Sequence, residues 1–452
     1  MRIRVLKFGG TSIDEIGHRH QAALKVIRAK EDGYAPVVVV SAPGRAGAPY
    51  ATDTLVNALR EADPAVPPHP RELDMLMACG EILSAVMFSH LLVVLGHPAT
   101  AFTGGQAGIV TDAVFGNARI LEVNPTDLLT VLREGRIAVV CGFQGVSAPP
   151  EGAVHGSLTT LGRGGSDTTA AALGAALKAE AVDIYTDVDG VKTADPKFVP
   201  DALTLRRLTY EEVAELSHLG AKVLHPRAAE IAMMHRIPLW VRNTFTNDPG
   251  SQIVSSDEFP GRRITGLTSS GQSVFLHFTL SDNRDARRIE TEVFRLLGDE
   301  DIVLMMLGIG PRGFSFAVPR TQYGRVRDLL DGLVIPCDDG RRMYIVQIGS
   351  LGSPTAQAQF NLLMKAGCAQ DIGFVTAEVT ENCTVVSLVA YNYLDQPGVY
   401  YDVLSALHEA GVPVWQTADS ENSISCLVPE TDAKRAVSAL HDHFHLSEQA
   451  EG

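Results

Sequence analysis

Three short apolar runs, residues 36–41 (PVVVVS), 137–141 (IAVVC) and 181–185 (AVDIY), constrain the fold most. Runs this short and this uniformly apolar are the mark of strands buried on both faces. Helical stretches lie between and around them, at residues 13–29, 72–95, 125–134 and 166–178. This alternation over residues 1–245 predicts an α/β fold with a largely parallel sheet. Ligands in such folds gather at the carboxyl ends of the strands. Lys7, Ser41, Phe143 and Asp187 fall there.

Around Asn247-Asp248-Pro249-Gly250 the chain becomes turn-rich, which predicts a linker at 246–261. Beyond it the pattern is built of smaller βαββαβ-like units. Strands are expected at 273–279, 302–308 and 313–319, with a helix at 284–297. The pattern returns with a strand at 384–390, a helix at 399–410, strands at 412–416 and 423–428, and a helix at 431–444. Residues 262–338 and 376–446 therefore read as an approximate repeat, and units of that size stack on one another. Residues 339–375 fit neither copy and read as an intervening insertion.

Composition narrows the partners. A chain of 452 residues with 45% hydrophobic and 20% charged residues has an ordinary globular balance. A net charge of −15 argues against nucleic acid or an anionic membrane as a partner. No unbroken apolar stretch reaches about 18 residues, so no membrane span is expected. The first residues enter a strand directly, without the apolar region and cleavage site of a secretory signal. Cys79, Cys141, Cys337, Cys368, Cys383 and Cys426 form no CxxC pair and stand in apolar contexts, which predicts buried thiols rather than zinc ligands or disulfides. A cytoplasmic location is expected.

Two glycine turns carry the chemistry. Lys7-Phe8-Gly9-Gly10-Thr11-Ser12 ends the first strand-like run, and Gly162-Arg163-Gly164-Gly165-Ser166-Asp167 opens a helix. A cation beside bare backbone N–H groups suits a phosphate. The lysine would neutralise charge on a transferred phosphoryl group. Ser166 or Asp167 could merely cap the helix, but capping explains neither Arg163 nor the glycines around it. A guanidinium fork matches a carboxylate, and Asp167 beside it suits an ammonium group. Glu81, within an apolar helical run, is either a solvated residue or a second carboxylate for that ammonium. Thr186-Asp187-Val188-Asp189-Gly190 is either a plain Asp-Gly turn or a loop of the functional edge. The pair of turns points to phosphoryl transfer onto an amino acid.

These motifs occur in order with Phe102-Thr103-Gly104-Gly105-Gln106-Ala107-Gly108 and Gly220-Ala221-Lys222-Val223-Leu224-His225-Pro226. Together they resemble the bacterial aspartokinases of the amino-acid kinase superfamily, most of all the diaminopimelate-sensitive type of Bacillus-like bacteria. The resemblance implies a three-layer α/β/α kinase fold followed by two ferredoxin-like ACT domains, the first of them degenerate. It implies Mg²⁺ with ATP as co-substrate, L-aspartate as acceptor, and Lys7 and Asp167 as catalytic residues. Lys7, Gly9, Gly10 and Ser41 would meet the phosphates, and Thr186, Asp187, Lys192, Lys197 and Lys222 the rest of the nucleotide. Thr52, Glu81, Phe143, Arg163 and Ser166 would line the aspartate site. Lys192 and Lys197 stand where relatives often carry other side chains. The turn Asp395-Gln396-Pro397-Gly398-Val399 would bind an amino-acid effector (lysine, threonine or diaminopimelate), with ACT domains pairing in a homodimer. The first copy has Asp282-Asn283-Arg284 in place of that Pro-Gly turn. A kinase for another acceptor, or a catalytically silent amino-acid sensor, shares parts of this pattern.

Overall fold

The computed structural model describes residues 1–448 apart from 62, 64–65, 150–154, 222, 281–284, 338–341, 350–351 and 368–370. Two compact units are present. One comprises Met1–Pro196 and Asp201–Thr265 with the segment from Leu446, the other Gly266–His445 with Lys197–Pro200.

The first unit begins β1 (Ile3–Phe8), α1 (Ile16–Glu31), β2 (Ala35–Val40), α2 (Thr52–Arg60), α3 (Pro70–Met77) and α4 (Cys79–Val94). It continues β3 (Ala99–Phe102), β4 (Ile109–Thr111), β5 (Ile120–Val123), α5 (Thr126–Arg133), β6 (Ile137–Cys141), β7 (Gln144–Ser147) and β8 (Leu158–Thr160). Then follow α6 (Gly165–Leu177), β9 (Ala181–Thr186), β10 (Arg207–Thr209), α7 (Tyr210–His218), α8 (Pro226–His235), β11 (Leu239–Asn243) and β12 (Ser251–Val254). The main sheet runs β10-β12-β11-β9-β1-β2-β6-β3, and only the β11–β12 pair is antiparallel. The three apolar runs are its buried strands β2, β6 and β9, as expected. A second sheet, β5-β4-β7-β8, was not foreseen, because its three- and four-residue strands carry too little periodicity.

The α3–α4 run, Pro70–Val94, is by length and composition long and apolar enough to cross a membrane. Its buried face carries Asp74, Glu81, Ser84 and Ser89, and α4 packs on β3 and β6. Asp74 accepts from Thr160 N at 2.8 Å, Thr160 Oγ1 at 2.9 Å and Gly116 N at 3.0 Å. Buried polar groups with protein partners mark a core helix.

The expected linker at 246–261 needs correction. β12 lies inside it and pairs with β10 and β11 in the main sheet. Buried Glu212 then accepts from Arg262 N at 2.9 Å and Thr265 Oγ1 at 2.7 Å, which holds the chain to this unit as far as Thr265.

The second unit contains β13 (Gly266–Ser269), β14 (Ser273–Thr279), α9 (Ala286–Asp299), β15 (Met305–Gly310), β16 (Gly313–Pro319) and α10 (Arg320–Leu330). After these come β17 (Val334–Pro336), β18 (Arg342–Ile348), α11 (Pro354–Ala366), β19 (Asp371–Val389), α12 (Val399–Glu409), β20 (Gln416–Asp419), β21 (Ser423–Pro429) and α13 (Ala433–His443). The two repeats are interleaved rather than consecutive. β13 pairs with Val386–Val389 at the far end of β19, so the opening strand of the first repeat's span completes the sheet of the second. The near end of β19, from Thr376 to Thr380, pairs with β14 of the first.

Within the segment 339–375, Arg342–Ile348 and the chain from Asp371 are likewise part of the first repeat's sheet. β18 pairs in parallel with the start of β19, and Tyr344, Val346 and Val375 join the core formed by Phe278, Phe314 and Phe316. The strand expected at 412–416 begins instead at Gln416. Residues 282–284 lie outside the described residues.

Candidate active site

β1 occupies the middle of the main sheet, between β9 and β2. Lys7 is its penultimate residue, and a Cβ added to Gly9 would lie 3.7 Å from Lys7 Nζ, so the ammonium folds over the glycine turn. Lys7 Nζ is 2.7 Å from Asp167 Oδ1. That pair joins the two glycine motifs across the fold. Lys7, Gly9, Gly10, Ser41, Thr52, Glu81, Phe143, Arg163, Ser166 and Asp167 all line one cleft of about 510 Å³.

The second turn is shaped by close contacts. Gly162 and Gly164 adopt the left-handed φ values +76° and +69°, and a Cβ on Gly164 would overlap the His225 ring at 2.1 Å. Gly165 has no room for a Cβ either, which would meet the Phe143 ring at 2.8 Å. Phe143 itself has φ +68°. A bulky residue held there costs about 1–3 kcal/mol, and its N–H donates to Thr169 Oγ1 at 3.1 Å. The helix α6 starts immediately after this turn, so its positive end faces the cleft.

Glu81 enters from the first turn of α4. Gly80 lets that helix approach, since a Cβ there would sit 2.6 Å from Ala42 Cβ. Glu81 Oε1 accepts from Ala42 N at 2.9 Å, while Oε2 is buried with no hydrogen-bond partner. Burial pushes the carboxyl up to about 8 despite the hydrogen bond from Ala42, which works the other way. The solvated alternative is therefore excluded: Glu81 is only 3% exposed. Cys141 lies close enough to Glu81 to feel its charge, and burial raises this thiol to about 12.

The remaining expected residues do not line the cleft. Thr186 ends β9, and its hydroxyl donates to Asp187 Oδ1 at 3.2 Å. Lys192 Nζ donates to Thr204 Oγ1 at 3.2 Å and Ala202 O at 3.4 Å, so its charge serves its own loop. Lys197 is not among the lining residues, and Lys222 lies outside the described residues. In the second unit Asp395 and Pro397 are exposed, Gly398 adopts φ +99°, and buried Val399 starts α12. Tyr400 OH donates to Thr417 Oγ1 at 2.5 Å beside this turn.

Sequence reasoning missed Arg45, Asp53, Val56 and Met77 in the lining. The Gly44-Arg45 pair directly behind a buried strand was the available signal for Arg45. It also missed Asp74, whose hydrogen bonds hold both Gly116 of the cleft wall and the strand leading into Arg163. Among the described residues no group of three or more His, Cys, Asp or Glu is placed to hold a metal ion.

Residues 2–243 match the amino acid kinase family and residues 378–442 the ACT domain. Aspartokinase 1 of Bacillus subtilis is 39% identical, covering 99% of this chain and 100% of the relative. The aspartokinase of Mycolicibacterium smegmatis is 34% identical, over 99% and 97%. The fold is similar to that of Escherichia coli aspartokinase III in complex with aspartate and ADP, with a TM-score of 0.71, 24% identity and coverage of 98% and 100%. With the likeness to these relatives running through the kinase half and the ACT tail alike, the chain belongs to the aspartokinase family.

Proposed function

We propose that the cleft transfers the γ-phosphoryl group of ATP to the β-carboxylate of L-aspartate, giving 4-phospho-L-aspartate and ADP. The observation that carries this reading is the Lys7–Asp167 pair, which brings a phosphate-type turn and an amino-acid-type turn into one cleft. Arg163 would hold the α-carboxylate, with Glu81 and Asp167 on the ammonium group. Thr52 and Phe143 would contact the acceptor end and Ser166 the turn beneath it. The β-carboxylate is ionised at neutral pH, so no general base is required. Its oxygen forms the new O–P bond as the bond from Pγ to the bridging oxygen breaks, and ADP leaves with the electron pair. Lys7 neutralises charge on the moving group while Gly9, Gly10 and Ser41 receive the phosphates.

Thr186 and Asp187 face the nucleotide side in this reading, and Lys192, Lys197 and Lys222 remain expectations from the resemblance alone. Mg²⁺ takes most of its ligands from phosphates and water and needs only one or two carboxylates. Asp187, directly after β9 with its carboxylate partly exposed, is the residue that would hold it. The ion would neutralise charge on the phosphates. An amino-acid effector at Asp395–Val399 and homodimerisation through the ACT domains complete the proposal, as does a cytoplasmic role in making lysine, diaminopimelate and threonine.

The test is an assay with Mg-ATP and a panel of amino acids, trapping acyl phosphate with hydroxylamine. Aspartate-dependent hydroxamate, suppressed by lysine, threonine or diaminopimelate, is expected. Turnover with a different acceptor, or none at all, would refute the reading.

A further inference from the structure

Arg45 is a cation of the cleft that belongs to neither glycine motif. The backbone just before it is pressed against the first of them. Gly44 N donates to Gly10 O at 3.0 Å, and a Cβ on Gly10 would stand 2.6 Å from Gly44 O and 2.7 Å from Ala42 O. Ala48 N donates to Arg45 O at 2.9 Å and Gly47 N to Thr54 Oγ1 at 3.1 Å, which folds the loop back toward α2.

The side chain is held far less firmly. Its guanidinium is 2.6 Å from Asp187 Oδ2, and the two side chains are 74% and 37% exposed. An ion pair this open to water contributes little and exchanges partners readily. Its path is informative. Arg45 follows β2, Asp187 follows β9, and β1 lies between those strands in the sheet. The Arg45–Asp187 bridge therefore crosses the carboxyl end of β1, where Lys7 and Gly9 stand. A terminal phosphate held by that turn would present a doubly charged, multidentate acceptor to the guanidinium fork. Lys7 is already paired with Asp167, so a second cation there has a charge to meet.

We propose that Arg45 is a further phosphoryl-binding residue, which leaves Asp187 to engage the terminal phosphate of a bound nucleoside triphosphate. The inference rests on the kinase reading and adds a residue to it. Calorimetric titration of the full chain with ADP and with a non-hydrolysable ATP analogue, both with Mg²⁺, tests it. Arg45→Ala should weaken the triphosphate roughly ten- to a hundredfold while leaving ADP affinity unchanged, and Arg45→Lys should recover part of the loss. Unchanged affinity for both nucleotides, or an equal loss for both, overturns the assignment. If Arg45→Ala does not fold, Arg45→Gln gives the same comparison. Wild-type protein that binds neither nucleotide would overturn the kinase reading and Arg45 with it. Wild-type protein with aspartate-dependent turnover but unaltered selectivity in the variant would overturn Arg45 alone.

Discussion

The two units solve opposite problems. The kinase unit draws polar and charged groups into its interior, with Asp74, Glu81 and Asp167 each under a tenth exposed. The second unit fills its centre with stacked aromatics, Phe278 against Phe314 at 4.5 Å, and keeps the turn around Pro397 and Gly398 at the surface. Burying a carboxylate is costly unless it is paired or hydrogen-bonded. The kinase unit accepts that cost at Glu81 and Asp167, which line the cleft, and offsets it at Asp74 with hydrogen bonds from Gly116 and Thr160. A surface turn on an apolar sheet avoids it, and suits a site that need only bind.

On this contrast, substitutions should act on the first unit through rate and on the second through stability. The largest effect is expected from Lys7→Ala, a loss of about 10²- to 10³-fold in kcat with an unchanged circular dichroism spectrum. A variant near wild-type turnover would break the contrast at its root. Arg163→Ala should raise the KM for aspartate about ten- to a hundredfold and leave that for ATP unaltered. Equal effects on both substrates would place the arginine elsewhere in the mechanism.

The next effect is a pH dependence. Burial holds the Glu81 carboxyl up to about 8, so at neutral pH it is mostly protonated, and it must lose that proton to pair with an ammonium group. Aspartate KM should therefore fall as pH rises, by about tenfold between pH 7 and 9, and Glu81→Gln should abolish the trend. A flat wild-type profile would remove Glu81 from the ammonium site. The smallest change is expected from Gly398→Ala. An alanine at φ +99° costs about 1 kcal/mol, measurable as reduced stability in denaturant. Kinase kcat should be unchanged while the response to the amino-acid effector weakens; a change in kcat alone would contradict a binding-only turn.

The same contrast explains what could be read from the chain. Lys7 with Gly9 and Gly10, and Gly162 to Asp167, are contiguous, so their chemistry is visible in a few letters. Asp74 is not legible in that way, because its partners Gly116 and Thr160 come from remote segments. The surroundings of Lys192 were hidden for the same reason, since only the folded loop shows its ammonium directed at Thr204. In the second unit the strands themselves were mostly visible, but their partners were not. The pairing of Gly266 with Val389 joins segments remote in the chain, so no local pattern names the partner. The segment at 342–348 has strand-like composition, yet only its parallel pairing with β19 shows that it belongs to the first repeat.

The central claim is that an aspartate β-carboxylate oxygen attacks the terminal phosphorus in this cleft. Phosphorus NMR of the product made from aspartate labelled with ¹⁸O in the β-carboxylate tests it most directly. An acyl-phosphate resonance shifted by bridging ¹⁸O is predicted. An unshifted resonance, or release of inorganic phosphate with no acyl phosphate formed, would contradict it.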